Sequence, residues 1–228
     1  MADVDREKRL AAARSIEFIE DGMTVGLGSG STARYFIKEL GQRARQGMKI
    51  QGVSTSDLTS SLAFQEGIPL TDFSHVRELD VSVDGADEVD PELNLIKGGG
   101  GALLREKIVA AATRQMIIIC DSRKVVKSLG AFPLPVEVTP FGWQLIAGRI
   151  EALGSDVAIR EEEPDRPFLT AQNNYILDCR FKKIDDPEEL AGRLEGMTGV
   201  VEHGLFVTLT DLVIVGRGDE TEILTATQ

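Results

Sequence analysis

The sequence predicts an α/β protein: a Rossmann-like parallel-sheet domain joined to a smaller ferredoxin-like α+β domain. Three observations predict it. Helical and strand periodicities alternate over the first ~130 residues, the pattern that builds a parallel sheet covered by helices. From Phe132 onward the order reads βαββαβ, the ferredoxin-like arrangement. A late apolar run, Leu212 to Val215, reads as a buried strand that returns to the first sheet. The division expected is 1–131 with 207–228 for the larger domain and 132–206 for the smaller.

The elements follow in order. Residues 5–20 read as a helix closed by Gly22, and Met23 to Leu27 as a short strand. A glycine loop opens a helix over Ser31 to Gln46. Lys49 to Thr55 is a strand, Ser56 to Gln65 a helix, and a short third strand lies near Pro69. Leu79, Val81 and Val83 alternate with polar residues and form a strand. Ala102 to Ala112 is a helix with Leu104, Ile108 and Ala111 on one face, followed by a strand from Gln115 to Cys120. In the second part, Val136 to Val138, Asp156 to Arg160 and Asn174 to Phe181 read as strands. Phe141 to Leu153 and Asp186 to Met197 read as helices, and Val200 to Phe206 as extended chain.

Composition narrows the function classes. A chain of 228 residues buries roughly 70% of the surface its unfolded form exposes. A net charge of −12, with no Lys/Arg cluster, argues against nucleic acid. Met1 to Arg9 has no apolar core, so it does not read as a signal peptide. Met116 to Cys120 is far too short to cross a bilayer, and a cytoplasmic enzyme is expected. Cys120 and Cys179 sit in apolar strand-like runs and read as buried thiols. His75 and His203 are isolated, outside any ligand spacing, so no metal site is expected and both read as structural or surface residues.

The chemistry concentrates in one stretch. It runs Val83-Asp84-Gly85-Ala86-Asp87-Glu88, then Lys97-Gly98-Gly99-Gly100-Gly101-Ala102-Leu103-Leu104-Arg105-Glu106-Lys107. Asp84 falls at the carboxyl end of its strand, where open α/β sheets bind ligands. Asp87 follows within a turn, and Glu106 lies about one turn into the next helix. Acids, a fixed cation and exposed backbone amides are the parts that move a proton beside a carbonyl and hold the resulting oxyanion. Each piece alone is common in solvated turns. Four consecutive glycines beside a lysine are harder to dismiss, because they lose backbone entropy on folding without packing anything.

A second loop, Gly28-Ser29-Gly30-Ser31-Thr32-Ala33, opens a helix after a strand. It fits the dinucleotide fingerprint, which also requires an acid at the end of the next strand. That strand ends Val53-Ser54-Thr55-Ser56, and Asp57 reads as a helix cap. A monophosphate site accounts better for the loop: Ser31 and Thr32 hydroxyls and helix amides would hold the dianion, while Gly28 and Gly30 let it approach. Ser31 or Thr32 could also cap the helix. Lys8, Lys97, Lys107 and Lys124 are candidates for the positive charge an acidic protein must gather around a phosphate.

Together these motifs resemble the A-type ribose-5-phosphate isomerase family. The resemblance rests on Asp84-Gly-Ala-Asp87-Glu88, Lys97-Gly-Gly-Gly-Gly-Ala with Glu106-Lys107, and Gly26-Leu-Gly-Ser-Gly-Ser-Thr32-Ala. It also rests on Phe132-Pro-Leu-Pro-Val-Glu-Val138 and Gly199-Val-Val-Glu-His-Gly-Leu-Phe206. The motifs run in the family's order along nearly the whole chain. The resemblance implies an aldose-ketose isomerase that interconverts D-ribose 5-phosphate and D-ribulose 5-phosphate through an enediolate, in the non-oxidative pentose phosphate pathway. It implies no cofactor and a homodimer or homotetramer. It selects Glu106 as the base, where spacing alone leaves Asp84 and Asp87 open. Asp84, Asp87 and Lys97 then complete the catalytic set. Substrate contacts fall to Gly28 to Thr32, Ser29 included, to Gly98 to Gly101, and to Lys8 and Lys124. Two other classes remain open: a non-catalytic sugar-phosphate sensor domain on the same kind of fold, and a dinucleotide-dependent oxidoreductase.

Overall fold

A computed structural model describes residues 3–225. Helix α1 (Val4–Ser15) is capped by Asp3, whose side chain accepts from the Arg6 amide, and continues into a 3-10 turn at Ile16–Phe18. Then follow β1 (Thr24–Leu27), α2 (Gly30–Arg45), β2 (Gln51–Ser54), α3 (Asp57–Gln65) and β3 (Val81–Asp84). The short strands β4 (Glu88–Val89) and β5 (Leu95–Ile96) precede α4 (Leu103–Ala111) and β6 (Met116–Asp121). The short strand expected near Pro69 reduces to one bridge between Gly52 and Leu70. Asp57 is the first helical residue of α3. Its cap is Ser56, whose hydroxyl accepts from the Thr59 amide.

The second part contains β7 (Leu134–Val138), α5 (Trp143–Glu151), β8 (Asp156–Ile159) and the hairpin β9 (Glu161–Glu163) with β10 (Arg166–Pro167). It continues with β11 (Tyr175–Arg180), α6 (Pro187–Glu195), β12 (Val200–His203) and β13 (Leu205–Phe206). The chain then returns as β14 (Leu212–Arg217) and β15 (Glu220–Thr225).

The main sheet has the order β15-β14-β6-β3-β1-β2, parallel throughout except for β15. Its central strands are buried on both faces, so they read as near-continuous apolar runs. Ile117 and Ile119 of β6 face a core shared with Ala11, Phe36, Ile37 and Leu40 of α1 and α2. Met116, Ile118 and Cys120 face the opposite core, with Leu95, Ala110 and Phe206. The antiparallel sheet β12-β7-β11-β8 buries Val136, Val138, Leu177 and Cys179 against Ile146 and Ile150 of α5 and Leu194 of α6. A third, three-stranded antiparallel ribbon has the order β13-β5-β4.

Two expectations about packing meet different outcomes. The cysteines are buried free thiols, and burial pushes the Cys120 thiol up to about 12. Helix α4, however, turns the other way. Leu103, Glu106, Val109 and Ala110 are its buried face, while Ile108 is 49% exposed. The apolar face expected from Leu104, Ile108 and Ala111 points outward, because the inward face carries a charged residue that a hydrophobic pattern does not count.

Candidate active site

The strand order places the site. The connection from β1 leads away to β2 on one side, and the connection from β3 leads to β6 on the other. A crevice opens where such connections part, outside the carboxyl ends of β1 and β3. Gly28 follows β1, and Asp84 is the last residue of β3. The two segments lock together: the Gly28 amide donates to Val83 O at 3.0 Å, and Asp84 Oδ1 accepts from Ser29 N at 2.9 Å and Gly85 N at 2.7 Å. A Cβ on residue 28 would stand 2.2 Å from Asp84 Oδ1, so the approach requires glycine.

Lys97 lies beside this floor, almost fully buried. Its ammonium is 2.9 Å from Asp84 Oδ2 and 3.3 Å from Glu106 Oε2, and it donates to Gly85 O at 2.5 Å. Burial alone would lower the lysine's pKa, but the facing Asp84 and Glu106 carboxylates more than reverse this and raise it. Glu106 is pushed the other way. Burial raises its carboxyl to about 7; Lys97 opposes the shift and Asp84 adds to it. Glu106 Oε2 is buried without an aligned hydrogen-bond donor among the described residues. A carboxylate paired with a cation yet short of donors, with a pKa near neutrality, suits a proton acceptor.

The glycine loop forms the facing wall. The Gly99 amide donates to Asp87 Oδ2 at 2.8 Å. Gly98 and Gly101 adopt positive φ, 96° and 81°, which only glycine takes readily. From the smaller sheet's side, Arg160 Nη1 donates to the carbonyls of Gly98 at 3.0 Å and Gly99 at 3.1 Å. Glu88 faces away from the cleft. It accepts the amides of Gly130 and Phe132, at 2.7 and 2.6 Å, and so ties the segment leading into β7.

The other end of the cleft is positive. Lys8 Nζ donates to Ser31 Oγ at 3.0 Å, and Arg123 and Lys124 line the same cleft. Helix α2 begins at Gly30 with Ser29 as its cap residue, but no side chain takes the capping bond. Neither Ser31 nor Thr32 caps the helix, as the sequence had allowed. The Ser29 hydroxyl is instead engaged with Thr55 Oγ1 at 2.6 Å. The first-turn amides and the helix dipole therefore face the cleft, an arrangement suited to an anion.

Of the residues expected at the site, Lys8, Ser29, Gly30, Ser31, Thr32, Asp87, Lys97, Gly98, Gly99, Gly100, Glu106 and Lys124 line one cleft. Asp84 and Gly28 form its floor rather than its lining. Gly101 packs below Phe168, where a Cβ would come within 2.5 Å of the ring. Lys107 does not join them. It donates to Glu202 Oε1 at 2.6 Å and to His203 O at 2.7 Å, in a polar cluster on the far side of α4. His203 is buried there, where desolvation and then Lys107 lower its imidazole to about 3, while His75 is exposed. Asp57, the acid nearest to the dinucleotide fingerprint's position, pairs with Arg105 at the surface, 2.8 Å away. Arg123 and Arg160 were not anticipated. Arg123 had a signal, its adjacency to Lys124; Arg160 had none, because only the fold brings it to the glycine loop. No three His, Cys, Asp or Glu side chains among the described residues form a metal-holding group, and no described helix is long and apolar enough to cross a membrane.

A buried acid–lysine pair at the carboxyl ends of a parallel sheet, beside a glycine loop at a helix start, gives an α/β protein with one polar, charged cleft. Comparison with known proteins gives the family. The model of "Ribose 5-phosphate isomerase A (phosphoriboisomerase A)" matches residues 51–220. The chain is 48% identical over 224 residues to a ribose-5-phosphate isomerase A of Oceanobacillus iheyensis, covering 98% of this chain and all of that one. Among solved structures, a D-ribose-5-phosphate isomerase in complex with phospho-erythronic acid superposes with a TM-score of 0.95 at 40% identity, covering 98% and 99% of the two chains. The ribose 5-phosphate isomerase A of Neisseria gonorrhoeae superposes with a TM-score of 0.93 at 36% identity, over the full length of both. The chain belongs to the ribose 5-phosphate isomerase A family and is an isomerase.

Proposed function

We propose that this chain interconverts D-ribose 5-phosphate and D-ribulose 5-phosphate through an enediolate, with Glu106 as the base. The observation that carries the reading is Glu106 itself: buried, its Oε2 3.3 Å from Lys97 Nζ, with a raised pKa, and lining the same cleft as the glycine loop and the Ser31–Lys8 pair. The phosphate binds at Ser31, Thr32 and the first-turn amides of α2, with Lys8, Arg123 and Lys124 supplying positive charge. In the open-chain aldose, Glu106 takes the proton from C2 and returns it to C1. Lys97 and the glycine-loop amides hold the charge that develops on the oxygens. A positioned base contributes roughly 10²–10⁴-fold, and one oxyanion donor roughly 10²–10³-fold. Asp87, at the cleft surface, binds hydroxyls and assists ring opening. Asp84 acts through Lys97, which it holds charged and in place.

The enzyme works in the cytoplasm on a phosphorylated pentose, needs no nicotinamide or metal, and assembles as a homodimer or homotetramer. Residues 1–131 with 207–228 form the catalytic unit and 132–206 the smaller one. The two free buried thiols suit a reducing compartment. Incubating the purified protein with ribose 5-phosphate and assaying ketose tests the reading. Ketose should form without added cofactor and after exhaustive EDTA treatment, and phospho-erythronic acid should compete with the substrate. Activity lost on chelation and restored by one divalent ion would replace proton transfer by a metal-assisted route.

A further inference from the structure

Arg160 is the only residue outside the larger sheet's own segments to grip the glycine loop by side-chain hydrogen bonds in the contacts described above, and nothing in the reaction scheme uses it. It follows β8, and its side chain is 15% exposed. Its guanidinium makes a fork–fork pair with Asp178 of β11, Nε to Oδ2 at 3.0 Å and Nη2 to Oδ1 at 2.5 Å. The remaining nitrogen, Nη1, spans the two carbonyls Gly98 O and Gly99 O. Gly98 O also accepts the Gly101 amide at 2.9 Å, which closes the turn.

A trans peptide is planar, with its N–H opposite its C=O. Pinning the Gly98 carbonyl therefore fixes the direction of the Gly99 N–H, which donates to Asp87. Pinning the Gly99 carbonyl fixes the Gly100 N–H in the same way, and Gly100 lines the cleft. Glycine peptides flip easily, because both signs of φ are open to them. A planar guanidinium anchored by a carboxylate removes that freedom in a way a flexible ammonium would not.

Resting on the isomerase reading, we propose that Arg160 is a positioning residue: it holds the Gly98 and Gly99 carbonyls away from the cleft, and so aims the Gly99 amide at Asp87 and the Gly100 amide at the oxyanion. The smaller sheet thereby contributes to catalysis without touching substrate.

The test compares Arg160→Gln, Asp178→Asn and the double variant with the unaltered protein. Arg160→Gln should lower kcat by roughly 10²–10³-fold, the effect of one lost oxyanion donor. KM and inhibition by inorganic phosphate should stay within threefold, while phospho-erythronic acid, whose carboxylate stands for the enediolate oxygens, should bind at least tenfold more weakly. Asp178→Asn should fall between, and the double variant should be no worse than Arg160→Gln alone. A kcat within threefold of the unaltered enzyme, or a phosphate affinity that falls in step with kcat, overturns the proposal. If Arg160→Gln does not fold, Asp178→Asn decides by the same split. The Gly100 amide resonance gives a readout independent of turnover: it should move on adding phospho-erythronic acid, and Arg160→Gln should abolish that movement. If the unaltered protein makes no ketose, the isomerase reading fails, and this resonance still supports or overturns the role of Arg160.

Discussion

Glu7 Oε2 accepts two hydrogen bonds from Ser122, from the amide at 2.9 Å and from the hydroxyl at 2.8 Å. Glu7 Oε1 accepts the Gly218 amide at 2.9 Å. Lys8 follows Glu7, and Arg123 and Lys124 follow Ser122. One buried carboxylate thus ties together the two segments whose like charges repel at the positive end of the cleft. Glu7→Gln keeps the size but turns a donor toward donors, at about 1–2 kcal/mol. KM for ribose 5-phosphate should rise roughly five- to thirty-fold with kcat within threefold, as steady-state kinetics would read. A drop in kcat alone would detach Glu7 from the phosphate grip.

Glu106→Gln preserves shape and removes the carboxylate proposed as the proton acceptor. Turnover should fall by at least about 10²-fold while KM changes little. A variant within tenfold of normal turnover would exclude Glu106 as the base.

The pH profile follows from the raised Glu106 carboxyl. A general base acts only when ionised, so with Glu106 in the proposed role kcat/KM should fall as pH drops through about 7 and level off above it. The same shift has a stability consequence of opposite sense. The folded state binds the Glu106 proton more tightly than the unfolded chain, whose carboxyl titrates near 4.5. This contribution is complete below about 4.5 and is lost as pH rises through about 7. Urea midpoints across this range should decline with pH more steeply in the unaltered protein than in Glu106→Gln; parallel curves would contradict the shift.

With the phosphate held at Thr32 as proposed, Thr32→Ala should weaken substrate binding more than it slows chemistry, since such a contact is alike in ground and transition states. A tenfold or larger rise in KM is expected, with kcat nearly unchanged. The reverse pattern would move Thr32 to the reaction centre.

Much of this was legible in the sequence. The Val81 and Val83 alternation located the strand that ends in Asp84, and the two glycine loops singled out by composition meet at one cleft. What depends on distant partners was not legible. Glu7 meets Ser122 across the fold, and Arg160 meets Gly98 through a second sheet, so neither carries a local motif. The outward turn of Ile108 and the diversion of Lys107 to Glu202 share one cause. The inner face of α4 is chosen by the charged Glu106–Lys97 pair, and hydrophobic periodicity is blind to such a choice. The strand β15 also escaped notice, being exposed along much of its length.

The position of β14 sets a schedule for synthesis. Its parallel partner β6 is complete at Asp121, yet β14 ends only at Arg217. On the ribosome, at about 5–20 residues per second, one edge of the most apolar strand waits roughly 5–20 s for its neighbour. An open apolar edge is a template for the wrong chain, so nascent polypeptides should be vulnerable to aggregation during that window, and ribosome-bound chaperones would have the most to protect there.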